Sequence, residues 1–176
     1  MKKHHRQIVF TLFGLVGLYL VLRAIFMPLI HDEIATFFRY VHLGTFIPYH
    51  SEWSTNNHIL NSALTWVSYE LFGPSPISQR LPNLFFIPVY FFFIWKISGK
   101  IKNRYLQWAF LILMVTIHNY MDFFSLSRGY GMSLAMMSGA IWFVWRSFET
   151  GKTRDYFFAL LFMFFAVSAI LILVNT

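Results

Sequence analysis

The stretch that most constrains this chain is residues 8–30, IVFTLFGLVGLYLVLRAIFMPLI, which holds a single charge, Arg23, in 23 positions. About 20 apolar residues in a helix suffice to cross the hydrocarbon of a bilayer, so a membrane span is the direct reading. Further apolar runs at about 81–97, 105–119, 131–145 and 156–174 approach or reach that length. The chain is 57% hydrophobic and 12% charged, roughly half the charge fraction of an ordinary soluble domain. The expected fold class is therefore all-α: a polytopic membrane helical bundle of about five transmembrane helices. MKKHHR at the start is a basic segment of the kind that opens a signal peptide, but no small-x-small cleavage pattern follows the apolar run, so an uncleaved anchor is expected.

Charge placement gives a topology. Lys2, Lys3 and Arg6 precede the first run; Lys96, Lys100, Lys102 and Arg104 follow the second; Arg146, Lys152 and Arg154 follow the fourth. Basic loops stay on the cytoplasmic side, and all three clusters share one side only if the loop 31–80 does not cross. The net charge of +7 then belongs to cytoplasmic loops, and nucleic acid is not an expected partner. Two amphipathic helices are expected to lie flat in that outer loop. Across 32–43, Ile34, Phe37, Phe38 and Val41 recur at helical spacing against Thr36, Arg39 and Tyr40. Across 56–73, Leu60, Leu64, Val67 and Leu71 share a face, while Asn61, Thr65, Ser68 and Glu70 would be costly in lipid. Gly73, Pro74 and Pro76 end the second of these, and Leu81 with Pro82 is expected to open the next span.

This topology collects Asp32, Glu33, Glu52, Glu70 and Asp122 on the outer side, with Arg39, Arg80 and Arg128 and the histidines at 31, 42, 50, 58 and 118. Asp32 and Glu33 sit where a span meets an amphipathic helix. An N-cap accounts for one acid there; the other suits a general base at the water boundary, near a lipid-borne donor. Arg80 and Arg128 can grip phosphate oxygens with their planar, permanently charged forks, and Arg23 is expected to snorkel. With no cysteine, and no pair among these outer histidines at the close helical spacing of a metal motif, no metal site is expected. Phosphate-loop and nucleophile-elbow motifs are absent too.

HDEIATF, NNHILN, LFGPSPISQRLPNLFF and SLSRGYGMSLAM, in that order and spacing, resemble the N-terminal part of GT-C glycosyltransferases of the protein O-mannosyltransferase and aminoarabinose transferase type. The resemblance covers residues 8 to about 146, and HILN departs from the family pattern by lacking its prolines. It implies an integral membrane enzyme that moves a sugar from a polyprenyl-phosphate donor to an acceptor hydroxyl of a glycan, lipid or protein on the outer face of a bacterial plasma membrane. By that resemblance Asp32 is the catalytic base and Glu33 assists it. His58, Arg80, Arg128 and Tyr130 bind the donor phosphate, and no soluble cofactor is needed. Family members are longer, so 1–176 is expected to be the N-terminal transmembrane portion of such a domain. The alternative is a small non-catalytic membrane protein whose acids and arginines only anchor helix ends.

Overall fold

The computed structural model describes residues 3–47, 49–51 and 57–170, and among these all regular structure is helical. In chain order the elements are α1 (Lys3–Phe26), α2 (His31–Thr36), which runs into a π-helical turn (Phe37–Val41), α3 (Ile59–Phe72), α4 (Pro76–Ser98), α5 (Arg104–Thr116), α6 (His118–Phe124), α7 (Tyr130–Thr150) and α8 (Thr153–Ala169). Two of them, through His4–Phe26 and Pro76–Ser98, are long and apolar enough to cross a membrane. The other three apolar runs fold as α5, α7 and α8, which do not combine length and apolarity to the same degree among the described residues. Positions 171–174 of the last run, and Glu52 and Asn56 of the outer loop, lie outside the described residues.

Local chemistry moves several boundaries. The span expected from Leu81 begins earlier, at Pro76, because Ser75 and Ser78 cap it reciprocally: the Ser78 N–H donates to Ser75 Oγ and the Ser75 N–H to Ser78 Oγ, each at 3.1 Å. Pro82 therefore lies inside α4. Lacking an N–H, it leaves the Ser78 carbonyl without its helical donor, and the Ser68 hydroxyl of α3 supplies one at 2.6 Å. A proline in one helix is thus answered by a serine in its neighbour. The run expected over 105–119 breaks at Ile117, whose backbone is extended, and resumes as α6. Tyr90 of α4 donates its hydroxyl to the Met114 carbonyl at 2.9 Å, one of those the end of α5 leaves open. The π turn spoils the regular stripe expected over 32–43: Thr36 and Tyr40 are buried with Phe37 and Val41, whereas Ile34 and Phe38 face outward.

α4 is the axis of the bundle and packs against α1, α3, α5, α6 and α7. Phe13 of α1 stacks on its Phe91 at 4.6 Å. α7 and α8 form a tight hairpin turned at Gly151, whose φ of 62° suits glycine. Within the hairpin Gly139 lets α7 approach α8: a Cβ there would lie 2.3 Å from Phe162 Cδ1 and 2.9 Å from Phe93 Cε2.

An apolar core of Phe13, Leu20, Ile87, Phe91, Leu111 and Phe124 coexists with a surface that is itself largely apolar along several helices. Only 22% of the most apolar stretch of α1 is buried, and Ile8, Leu15, Leu18 and Phe26 project outward. In α3, Val67 and Leu71 are exposed, and Asn61, Ser62, Thr65 and Ser68 are buried. The amphipathic helix expected over 56–73 is present, and its polar face is the packed one. Gly139→Ala is expected to overpack the α7 and α8 interface and cost roughly 1–3 kcal/mol, read as a lower unfolding midpoint by circular dichroism in mild detergent.

Candidate functional site at the acidic end of the bundle

The site is built on one buried ion pair. Arg80 Nε donates to Glu33 Oε1 at 2.8 Å and Nη2 to Glu33 Oε2 at 2.7 Å, and both side chains are sealed from solvent. The remaining guanidinium hydrogens are used on the chain leaving α1. Nη1 donates to the carbonyls of Ala24 and Met27 at 2.9 and 2.7 Å, and Nη2 to that of Pro28 at 2.9 Å. All five N–H groups of the guanidinium are thereby engaged. Glu33 is equally occupied: it also accepts the Ile30 N–H at 3.0 Å and the Ser127 N–H at 2.7 Å. The pair ties together the end of α1, the start of α2, α4 and the loop before α7. It also settles which acid caps: Glu33 returns to the Ile30 N–H, and Asp32 does not cap α2.

Beside this clamp one acid reaches solvent. Asp32, one residue before Glu33, has a side chain 45% exposed, with Oδ2 at 3.3 Å from Arg128 Nη2. Arg128 follows Ser127, the residue whose N–H Glu33 holds. Two adjacent pairs therefore differ: Glu33 and Arg80 are both sealed, whereas Asp32 is 45% exposed and its partner Arg128 is itself largely buried. The Arg128 guanidinium lies over the Tyr130 ring at 5.7 Å, Tyr130 stacks on Phe123 at 4.6 Å, and His58 meets Tyr130 edge-on at 5.4 Å. His58 is fully buried at the N-cap of α3, and neither ring nitrogen has a hydrogen-bond partner among the described residues. Burial pushes its imidazole down to about 4; the Arg128 cation pushes the same way and Asp32 opposes it.

All six candidate residues thus gather at one end of the bundle, in two shells. Asp32, Arg128 and Tyr130 form the outer one with His58 behind them, and Glu33 and Arg80 form the inner one. Arg80, expected at a donor phosphate, is turned inward with no N–H left to offer, because a buried guanidinium must satisfy every donor. Arg23, expected to snorkel, instead pairs with Asp122 at 2.9 Å and donates to Ser125 Oγ at 2.6 Å; His118 Nε2 stands 3.1 Å from the same carboxylate. Among the described residues no group of three or more metal-ligating side chains comes together.

Sequence reasoning did not single out Asn83. Its Nδ2 donates to Asn61 Oδ1 at 3.3 Å and to the Leu126 carbonyl at 2.5 Å, and its Oδ1 accepts the Met132 N–H at 3.2 Å. Asn61 in turn donates to the Ser127 carbonyl at 3.4 Å. These amides hold the loop that delivers Arg128. A lone amide one turn after Arg80, inside an otherwise apolar run, is the signal that could have found it.

Comparison with protein-family profiles, with curated proteins and with solved structures finds no match to this chain.

Two outcomes follow from the geometry. Arg80→Ala strands the Glu33 charge in the interior and is expected to cost about 3–5 kcal/mol, seen as a large fall in thermal midpoint; Glu33→Gln should do the same from the other side. His58 titrates lower in the folded chain than in the unfolded one, so the unfolded chain binds more protons between pH 4 and 6.5. Stability is expected to be full above about pH 6.5 and to fall, by on the order of 2–3 kcal/mol, as the pH drops toward 4. A thermal-melt series across that window checks it, and His58→Phe should flatten the dependence.

Proposed function

We propose that this chain is the N-terminal part of a membrane glycosyltransferase that moves a sugar from a polyprenyl-phosphate donor to an acceptor hydroxyl. The observation that carries the reading is the half-exposed Asp32 carboxylate set against Arg128, held by a buried clamp that uses up the neighbouring acid. A base must reach its substrate's proton, and of the adjacent acids only Asp32 is presented to do so. Two charge-bearing ends support the membrane orientation. Arg6, Lys96, Lys100, Arg146 and Asp155 lie at one end, where Lys100 pairs with Glu149 and Arg146 with Asp155. The Asp32 and Arg128 site lies at the other. In this proposal about five helices span, the basic end is cytoplasmic, and the site faces outward from a bacterial plasma membrane.

In the proposed reaction Asp32 takes the proton of the acceptor hydroxyl as its oxygen bonds to the anomeric carbon. The bond from that carbon to the carrier's phosphate oxygen breaks, and the phosphate leaves with the bonding pair. Arg128 steadies the charge that develops there. For this the Arg128 guanidinium must exchange Asp32 for phosphate. Arg128 is only 11% exposed while Asp32 is 45% exposed, so a phosphate that takes the place of Asp32 keeps the buried guanidinium paired as the carboxylate turns toward solvent. Tyr130 and His58 form the wall behind Arg128. Arg80 and Glu33 act as positioning residues, since their donors and acceptors are spent within the fold. The resemblance in HDEIATF and SRGYG is a family-level analogy, and the paired geometry of Asp32 and Arg128 is independent of it.

Asp32→Asn, introduced into the full gene and assayed for sugar transfer from the lipid carrier in membranes, is expected to lower turnover by about 10²–10⁴-fold with expression and melting unchanged. Arg128→Ala should weaken use of the donor. Parental activity in Asp32→Asn would remove Asp32 from the chemistry and favour the reading in which the pair only anchors helix ends.

A further inference from the structure

At the end of the bundle remote from Asp32, α1 and α4 leave an open groove of about 440 Å³, within the size range of small-molecule sites. Its walls are apolar: Phe10, Phe13, Gly14 and Gly17 from α1, with Ile87 and Phe91 among those from α4. It exists because α1 carries no side chain at Gly14, where a Cβ would meet nothing within 4 Å.

Two cations close one end of this groove. Arg6 Cζ lies 5.4 Å from the Phe10 ring and 5.7 Å from the Trp95 ring. Lys96 Nζ lies 5.3 Å from Trp95 and 5.4 Å from Phe92. Both charges rest against one indole, and Phe10, Phe92 and Trp95 are themselves groove residues. The nearby acids are committed elsewhere, Glu149 to Lys100 and Asp155 to Arg146. Neither Arg6 nor Lys96 has a carboxylate partner among the described residues. Trp95 also carries a buried Nε1–H with no acceptor among the described residues.

An apolar channel ending in two uncompensated cations is complementary to a molecule with a hydrocarbon tail and an anionic head. We propose that this groove is a binding site for an anionic phospholipid, its acyl chain along Gly14 and Gly17 and its phosphate between Arg6 and Lys96. The inference rests on the membrane-spanning part of the reading above and is independent of the glycosyl-transfer chemistry. An anionic head beside two cations also relieves their mutual repulsion, so the site stabilises the fold as well as selecting the lipid.

The test uses the full chain purified in mild detergent and offered equal amounts of phosphatidylglycerol and phosphatidylcholine, with retained lipid read by native mass spectrometry. Each juxtaposed cation favours an anionic lipid several-fold, so wild type is expected to retain phosphatidylglycerol over phosphatidylcholine by about tenfold or more. The double substitution Arg6→Gln with Lys96→Gln should bring the ratio to parity while neutral lipid still binds. Gly14→Leu, whose side chain would enter the groove rather than the core, should lose both lipids. Lys102→Gln with Lys152→Gln, which removes the same charge from the same end of the chain's sequence-predicted basic loops, should keep the preference. Equal retention of the two lipids by wild type would overturn the proposal, as would a preference that survives either groove variant. Flotation with phosphatidylcholine vesicles separates the two levels: a chain that floats yet shows no lipid preference sinks the lipid site alone, and one that does not float sinks the membrane reading with it.

Discussion

The structure turns on one buried ion pair with no unspent hydrogen-bonding capacity. Arg80 and Glu33 are both sealed from water, where an uncompensated charge costs several kcal/mol. The fold meets that cost by giving every guanidinium N–H an oxygen and Glu33 two further backbone donors. Because those partners come from the end of α1, the start of α2, α4 and the loop before α7, the pair fixes four segments relative to each other. What lies beside it in sequence is then placed as well. Asp32 and Arg128 meet at the edge of the interior because Glu33 and Ser127, their chain neighbours, meet within it.

The same economy of polar groups explains the inverted faces. A helix such as α3, with Asn61, Thr65 and Ser68 on one side and Val67 and Leu71 on the other, can bury its polar side only where partners await. α4 supplies the Ser78 and Gln79 carbonyls, and the loop before α7 supplies Ser127. The interior at this end of the molecule therefore holds a hydrogen-bonded polar network beside the buried Phe37, Val41 and Phe124, and the apolar face of α3 turns outward. That division suits a lipid solvent, in which apolar exposure costs little and an unpaired polar group costs much.

Much of the fold was readable from the residues. The long apolar runs and the polar stripe of α3 follow from periodicity, whereas the start of α4 at Pro76 rather than Leu81 came from the reciprocal capping of Ser75 and Ser78. The errors share a cause. The stripe over 32–43 presumed an uninterrupted helix, and the π turn at Phe37–Val41 re-aims Thr36 and Tyr40 inward. The run over 105–119 gave no breaker residue at Ile117, where the chain bends into α6. Arg23 was assigned to the interface because its partner, Asp122, lies 99 residues away and on another helix. Local patterns carry no information about such pairs.

The candidate site divides along the same line. Residue type and placement singled out Asp32, Glu33, Arg80 and Arg128, since charges are scarce in so apolar a chain and each demands a reason, while His58 and Tyr130 were added only by the family resemblance. Composition and hydrophobic spacing likewise determined an all-helical molecule with helices suited to a bilayer. Only the tertiary structure decided which acid is sealed and which is displayed, and that Arg80 is locked to Glu33 while Arg128, itself largely buried, reaches the exposed Asp32. The physical reason is that a charged side chain's role is set by the donors and acceptors around it, and those are assembled from distant segments when the helices pack.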